Sequence, residues 1–319
     1  MSKITHQINK GLAHEIVKQI DNFLFDCDGV LWHGAQVIPG TAEAVQKLKK
    51  LGKRIFYLTN NSSKTRAQIV EKCHKLGFPA ELDNIVGTAH ASALYLKTMG
   101  FSGKVYMVGN ASMAAEMDNL GIKYTGLGPD HVPDDYEKLD DIVKFQSDWK
   151  PDPEVNCVLV GFDPHHSYMK MMKAATYAKN RNNLFLATNE DPFLPTKLDI
   201  CIPGTGSIVS SIKIPTRREP HVIGKPETAF FDLLHEVHGL EAGSTLMVGD
   251  SLNTDIHMAV NCDIKSVLVL TGADGLQQVE ERQHSDDPVK RKVVPDYYID
   301  SFGHFGQLIG DLPEVQCSK

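Results

Sequence analysis

Asp26 and Asp28 stand one residue apart in FLFDCDGVLW (23–32), directly after an apolar run and directly before Gly29. An extended chain projects residues i and i+2 to the same side, so both carboxyls can work on one ligand. Other polar groups follow apolar runs in the same manner: Thr59, Asn60 and Asn61 after IFYL, Lys225 after HVIG, and Asp250 after TLMVG. Each alone is ordinary turn or cap chemistry. Together they supply paired carboxylates, a hydroxyl with amides, a cation and a further acid, which unrelated caps are not expected to do. Asp26, Asp28 and Asp250 gathered within about 4 Å would repel by roughly 4 kcal/mol per pair at an effective dielectric near 20. The set therefore calls for a cation, and an oxygen-only donor set suits Mg²⁺. Thr59, Asn60, Asn61 and Lys225 then read as a phosphate clamp. With a phosphoryl group between them, Asp26 can attack phosphorus and form an acyl phosphate. Asp28 can protonate the leaving oxygen and later take a proton from the water that cleaves the intermediate.

The elements that must carry these groups follow a βαβ rhythm. NFLFD (22–26) precedes a helix over 41–52, whose apolar residues fall at helical spacing; KRIFYLTN (53–60), a helix over 63–77 and NIVGT (84–88) follow. The alternation resumes with KVYMVG, VNCVLVGFD, LFLATN, HVIGK, STLMVGD and KSVLVL, and ends on DYYID (296–300) as an edge strand. Runs apolar on both faces point to a central parallel sheet covered by helices, whose ligands lie beyond the carboxyl ends of the strands. Residues 125–154 show no period and read as an excursion loop; the glycines of 99–104 and the prolines of 214–220 read as hinges.

The balance of charge bounds the partners. A net charge of −7 with no polybasic run leaves no electrostatic footprint for nucleic acid or an anionic membrane surface. No apolar stretch approaches the ~20 residues of a membrane span, and the N-terminus lacks a signal-peptide core, so a cytosolic address is expected. The scattered cysteines contain no CxxC pair and read as reduced thiols.

Asp26-Cys27-Asp28-Gly29-Val30, Thr59-Asn60-Asn61, Lys225 and Gly249-Asp250-Ser251-Leu252-Asn253-Thr254-Asp255 resemble, in order, the motifs of the haloacid dehalogenase (HAD) superfamily of phosphatases. The resemblance implies a Rossmann-like core with Asp26 as nucleophile, Asp28 as acid/base, Thr59 and Lys225 on the phosphoryl group, and Asp26, Asp250 and the Asp28 main-chain carbonyl on Mg²⁺. Asn253 and Asp255 would stand behind those ligands. About 165 residues separate the second motif from the third, too many for a loop. They resemble an inserted α/β cap of the C2 type, giving a core of 1–99 and 216–319 and a cap of 100–215. Cap residues 188–207 would face the substrate, with Asn189, Asp191 and Thr205 as contacts.

LFDCDGVLWHG, TNNSSKTR, VGFDPHHSYMK, PGTGS and VPDYYIDS resemble the branch of phosphoglycolate phosphatase, pyridoxal phosphate phosphatase and the 4-nitrophenylphosphatases. VGFDPHHSYMK and ATNEDPFLP are most similar to eukaryotic phosphoglycolate phosphatase, and Leu194 stands where the pyridoxal enzymes carry histidine. That branch implies a homodimer acting on a small phosphorylated metabolite: phosphoglycolate first, with pyridoxal phosphate, glycerol phosphate or a phosphoprotein as alternatives. Ser251 stands where the branch commonly has arginine, after the Gly-Asp of the fourth motif. Two rival readings are a DxD glycosyltransferase, which has no use for Lys225 and GDSLNTD, and a non-catalytic scaffold on the same fold.

Overall fold

Phe23, Leu24 and Phe25 are fully buried in the middle of the strand Asn22–Asp26. The computed structural model, which describes residues 3–131, 138–194 and 200–314, sets this strand inside a seven-stranded sheet. The order across the sheet is His6–Gln7, Tyr297–Ile299, Lys265–Val269, Thr245–Gly249, Asn22–Asp26, Arg54–Thr59 and Ile85–Gly87. Neighbours from His6–Gln7 through Arg54–Thr59 pair in parallel. Strands buried on both faces need no alternation of polar and apolar residues, which is why IFYL and LMV run unbroken.

Register delivers the chemistry to one edge. Asp26 lies opposite Leu58 and Phe25 opposite Val248, so Asp26, Thr59 and Asp250 emerge together at the carboxyl ends of adjacent strands. The floor beneath them is apolar. Phe25 packs edge-on against Phe302 at 4.7 Å between ring centroids, within a cluster that includes Phe23, Ile55, Tyr57, Leu246 and Val248. Truncating such an aromatic to alanine costs about 3–5 kcal/mol.

The chain divides into two compact units, one of residues 1–59, 66–86 and 225–319, the other of 60–65 and 87–224. The second unit is α/β in its own right. Its five-stranded parallel sheet runs His221–Val222, Leu184–Ala187, Val155–Val160, Lys104–Val108, Lys123–Thr125.

Several sequence expectations need correction. The unit boundaries fall at 86/87 and 224/225 rather than 99/100 and 215/216. The helix Thr88–Thr98 goes with the second unit because Ala89, Ala93 and Leu96 pack against Met113, Ala114 and Met117. The glycines near 100 make a turn inside that unit. HVIGK gives only the strand His221–Val222, which pairs with Leu184–Ala187 and not with the core sheet. Tyr297–Ile299 is not the edge, since His6–Gln7 pairs outside it. Residues 139–148 form a helix, Leu139–Asp148, started by the Asp141 carboxylate, which accepts the Lys138 N–H at 3.0 Å. Acids in a first helical turn favour its dipole.

Candidate active site

Asp26 ends its strand with the side chain about 15% exposed, and Lys225 Nζ donates to its Oδ1 at 2.5 Å. The same ammonium lies 2.8 Å from Asp255 Oδ1. Asp255 in turn accepts the main-chain N–H groups of Asp250 and Ser251 through Oδ2, at 3.1 and 3.2 Å. Each of Asp26, Asp250 and Asp255 brings a carboxylate oxygen within 4.8 Å of the other two. Three acids therefore converge on one buried lysine.

Burial and mutual repulsion mark this cluster electrostatically. Removal from water raises the Asp26 carboxyl well above the ordinary carboxylate range; Asp255 and Asp250 push the same way, against the opposing pull of Lys225. Asp250 is pushed up to about 7, by burial first and by Asp255 second, against the Ala273 N–H and Lys225. For Lys225, burial would lower the ammonium, but Asp255 and Asp26 outweigh it and hold it above its usual range.

The loop after the strand Lys265–Val269 clamps Asp250. Ala273 N–H donates to Asp250 Oδ2 at 2.8 Å, Asp274 N–H to the Asp250 carbonyl at 3.0 Å, and Leu252 N–H to Asp274 Oδ2 at 2.7 Å. Thr271 Oγ1 donates to the Gly29 carbonyl at 2.6 Å, tying this loop to the one after Asp28. Gly29 has φ +87°, and a Cβ there would stand 2.2 Å from Asp250 Oδ2; one on Gly272 would stand 1.8 Å from the same atom. Only glycine lets both loops close on that carboxylate.

A family model described as haloacid dehalogenase-like hydrolase matches residues 23–123, and a HAD-hydrolase-like model matches 222–303. Glycerol-3-phosphate phosphatase of Rattus norvegicus is 40% identical over 301 residues, covering 91% of each chain. The chain belongs to the haloacid dehalogenase-like hydrolase family. Within that family it is a phosphatase. Phosphoglycolate phosphatase 2 of Arabidopsis thaliana is 37% identical over 295 residues, covering 91% of this chain and 93% of its own. Among solved structures, a glycerol phosphate phosphatase from Mycobacterium tuberculosis in complex with calcium superposes with TM-score 0.72 at 25% identity, over 91% of this chain and 76% of that one.

The donor set of this HAD-family phosphatase fits a hard divalent cation. Every candidate ligand is an oxygen, and one lysine cannot neutralise three clustered acids. The cluster differs from the sequence expectation in its members. An oxygen of Asp255, expected behind the ligands, lies within it, whereas the Asp28 side chain does not. Asp28 is about half exposed and faces Lys72 Nζ at 3.7 Å, and that ammonium sits 4.3 Å over the Trp32 ring. Asn253, also expected behind the ligands, is exposed, with Oδ1 accepting from Arg282 at 2.5 Å. Thr59 is buried at its strand end.

Asn60 and Asn61 fall with the second unit. Asn60 Nδ2 donates to Asp191 Oδ2 at 3.0 Å, and Asn61 Oδ1 accepts from Ser63 N and Oγ at 2.8 and 2.6 Å. Asn189 donates to Asp191 as well, and Thr205 is buried in the first turn of the helix Thr205–Thr216. Sequence reasoning missed Lys72 and the 271–274 clamp. A Thr-Gly-Ala-Asp turn directly after KSVLVL was the available signal for the clamp, since that strand ends at the same sheet edge.

Proposed function

We propose that the chain is a Mg²⁺-dependent phosphomonoesterase that works through an acyl phosphate on Asp26. One observation carries this reading: Lys225 is held between Asp26 and Asp255 beside Asp250, residues from three distant parts of the chain. A carboxylate oxygen of Asp26 attacks phosphorus and the bond to the ester oxygen breaks, with Asp28 giving its proton to that oxygen. Water then attacks the acyl phosphate, its proton passes to Asp28, the bond between phosphorus and Asp26 breaks, and inorganic phosphate leaves with the Asp26 carboxylate restored. Lys225 and Thr59 hold the phosphoryl oxygens. Asp26, Asp250 and the Asp28 carbonyl would hold Mg²⁺; Asp255, although it has an oxygen in the same cluster, is already engaged by Lys225 and by the Asp250 and Ser251 N–H groups and fixes their place. When bound, the metal neutralises charge on the acids and on the phosphoryl oxygens.

The substrate is a small phosphorylated metabolite. Phosphoglycolate is the first choice, supported by VGFDPHHSYMK and ATNEDPFLP. Glycerol 3-phosphate is the second, supported by the 40% identical relative of that name against 37% for the plant phosphoglycolate enzyme. Both are phosphate esters of short polar chains. A cytosolic homodimer belongs to the same reading.

The test is phosphate release from a panel of phosphorylated metabolites with Mg²⁺, for wild type and Asp26→Asn. The variant is expected to lose turnover on every ester. Retained turnover would refute the nucleophile, and an inert wild type would favour the scaffold.

A further inference from the structure

The chain passes between its units at 59/60, 65/66, 86/87 and 224/225. Thr59 is the last residue before the first of these passages and Lys225 the first after the last, and these are the side chains assigned above to the phosphoryl group. On the second-unit side, three passages are fastened to one another. The Asn60 carbonyl accepts from Thr88 Oγ1 at 3.0 Å, and Gly224 N–H donates to the Thr188 carbonyl at 2.8 Å. A Cβ on Gly224 would lie 2.5 Å from Asn60 Oδ1, 2.6 Å from the Thr188 oxygen and 2.8 Å from Thr88 Cγ2. Asn60 is thus pressed against the residue that precedes Lys225.

Asp191 fixes Asn60 in that place. Its Oδ2 accepts from Asn60 Nδ2 at 3.0 Å and also from Asn189 Nδ2, while Thr188 Oγ1 donates to Asn189 Oδ1 at 2.7 Å. Thr188 and Asn189 are buried, and the Asp191 carbonyl accepts Gly206 N–H at 2.9 Å where the helix Thr205–Thr216 begins. Hydrogen bonds to an ionised carboxylate are roughly twice as strong as neutral ones. The carboxylate therefore has its amide donors in place within the second unit.

We propose that Asp191 is a positioning residue. By holding Asn60 against Gly224 it sets the chain segments from which Thr59 and Lys225 are presented, and it does not itself contact substrate. The proposal rests on the phosphatase reading above and replaces the sequence expectation that Asp191 touches the leaving group. A misplacement of 1 Å at a site remote from the chemistry can cost about 10²-fold in rate. Because Thr59 and Lys225 would grip the phosphoryl group, which every ester shares, the loss must be the same whatever the alcohol.

The experiment measures kcat and KM for wild type, Asp26→Asn, Asp191→Ala, Asp191→Asn, Asn60→Ala and the Asp191→Ala/Asn60→Ala double variant. The probes are 2-phosphoglycolate, glycerol 3-phosphate and 4-nitrophenyl phosphate at saturating Mg²⁺. Asp191→Ala is expected to lower kcat by about 10- to 100-fold, by one common factor on all three esters. Asn60→Ala should do the same, and the double variant should be no worse than either single. Asp191→Asn keeps an oxygen for both donors and should recover most of the loss. Losses that differ more than tenfold between esters would make Asp191 a substrate contact and overturn the proposal. So would additive losses, or unchanged kcat in Asp191→Ala while Asp26→Asn is dead. An active Asp26→Asn would instead condemn the phosphatase reading itself. If Asp191→Ala does not fold, Gly224→Ala, which drives a methyl into Asn60, must give the same uniform loss.

Discussion

Two lysines in this protein are buried against aspartate at the same distance, with opposite consequences. Lys170 Nζ meets Asp163 Oδ2 at 2.5 Å in the second unit, both side chains fully buried, and Asp163 Oδ1 accepts the His165 N–H at 2.8 Å. One cation faces one anion, whose other oxygen accepts a main-chain N–H. In the core unit, Lys225 meets Asp26 at the same 2.5 Å, but Asp255 and Asp250 crowd in too. One positive charge among three acids leaves a net −2 when all are ionised. The first pair is complete and serves the fold. The second is incomplete, and that incompleteness makes it a candidate site for a cation.

Substitutions can break the comparison, and the largest effect is expected from Lys225→Met. It should lower kcat by about 10²–10³-fold in steady-state assays, because a preorganised charge on the phosphoryl oxygens is lost. Lys170→Met should instead cost about 3–5 kcal/mol of stability in denaturant unfolding, leaving the kcat of the folded fraction close to wild type. Adding Asp163→Leu to it should recover most of that stability, since a buried pair replaced by apolar groups is often neutral. If Lys170→Met acted on kcat as strongly as Lys225→Met, the two pairs would not differ in kind.

Gly272→Ala should weaken Mg²⁺ binding by about 10- to 100-fold in a metal titration, because its methyl displaces the carboxylate of Asp250 while leaving the ligand itself present. A smaller effect follows from proton linkage. Asp250 in the metal-free fold is pushed up to about 7, while in the unfolded chain it returns to about 3.9. The folded protein therefore holds a proton that the unfolded chain releases. That stabilisation is present at low pH and lost as pH rises through about 7. Melting temperature in chelator should fall as pH rises from about 4 to about 7 and level off above that, and Mg²⁺ at pH 8 should restore it. The smallest effect is expected for Lys72→Met. Its partner Asp28 is about half exposed, so the pair contributes under about 1 kcal/mol and kcat should drop less than about fivefold.

The core strands were legible in the sequence because a strand buried on both faces writes itself as an unbroken apolar run. Asp26, Thr59 and Asp250 were legible because each run stops on a polar residue at the sheet edge. Lys225 was read for a partly wrong reason: HVIG looked like a core strand, yet His221–Val222 pairs in the second unit and the chain only then returns to the core. The boundaries were misplaced because glycines near 100 signal a turn, and a turn does not say which unit owns it. Asp28 and Asn253 show the limit of motif reading, since spacing assigns a chemical type but not the neighbour, Lys72 or Arg282, that a folded surface supplies. The 271–274 clamp was missed because its contacts to Asp250 are made mostly by main-chain atoms, which carry no sequence signature.

Asn22–Asp26 is flanked on one side by Arg54–Thr59 and on the other by Thr245–Gly249, which lies more than two hundred positions downstream. Nascent chain emerging from a ribosome can pair the first two strands early, and most of the second unit, residues 87–224, is made before the next core segment. Asn22–Asp26 must wait for its other neighbour until Thr245–Gly249 has been made. A product truncated before residue 245 would lack that neighbour together with Asp250 and Asp255, and with them the acid cluster around Lys225.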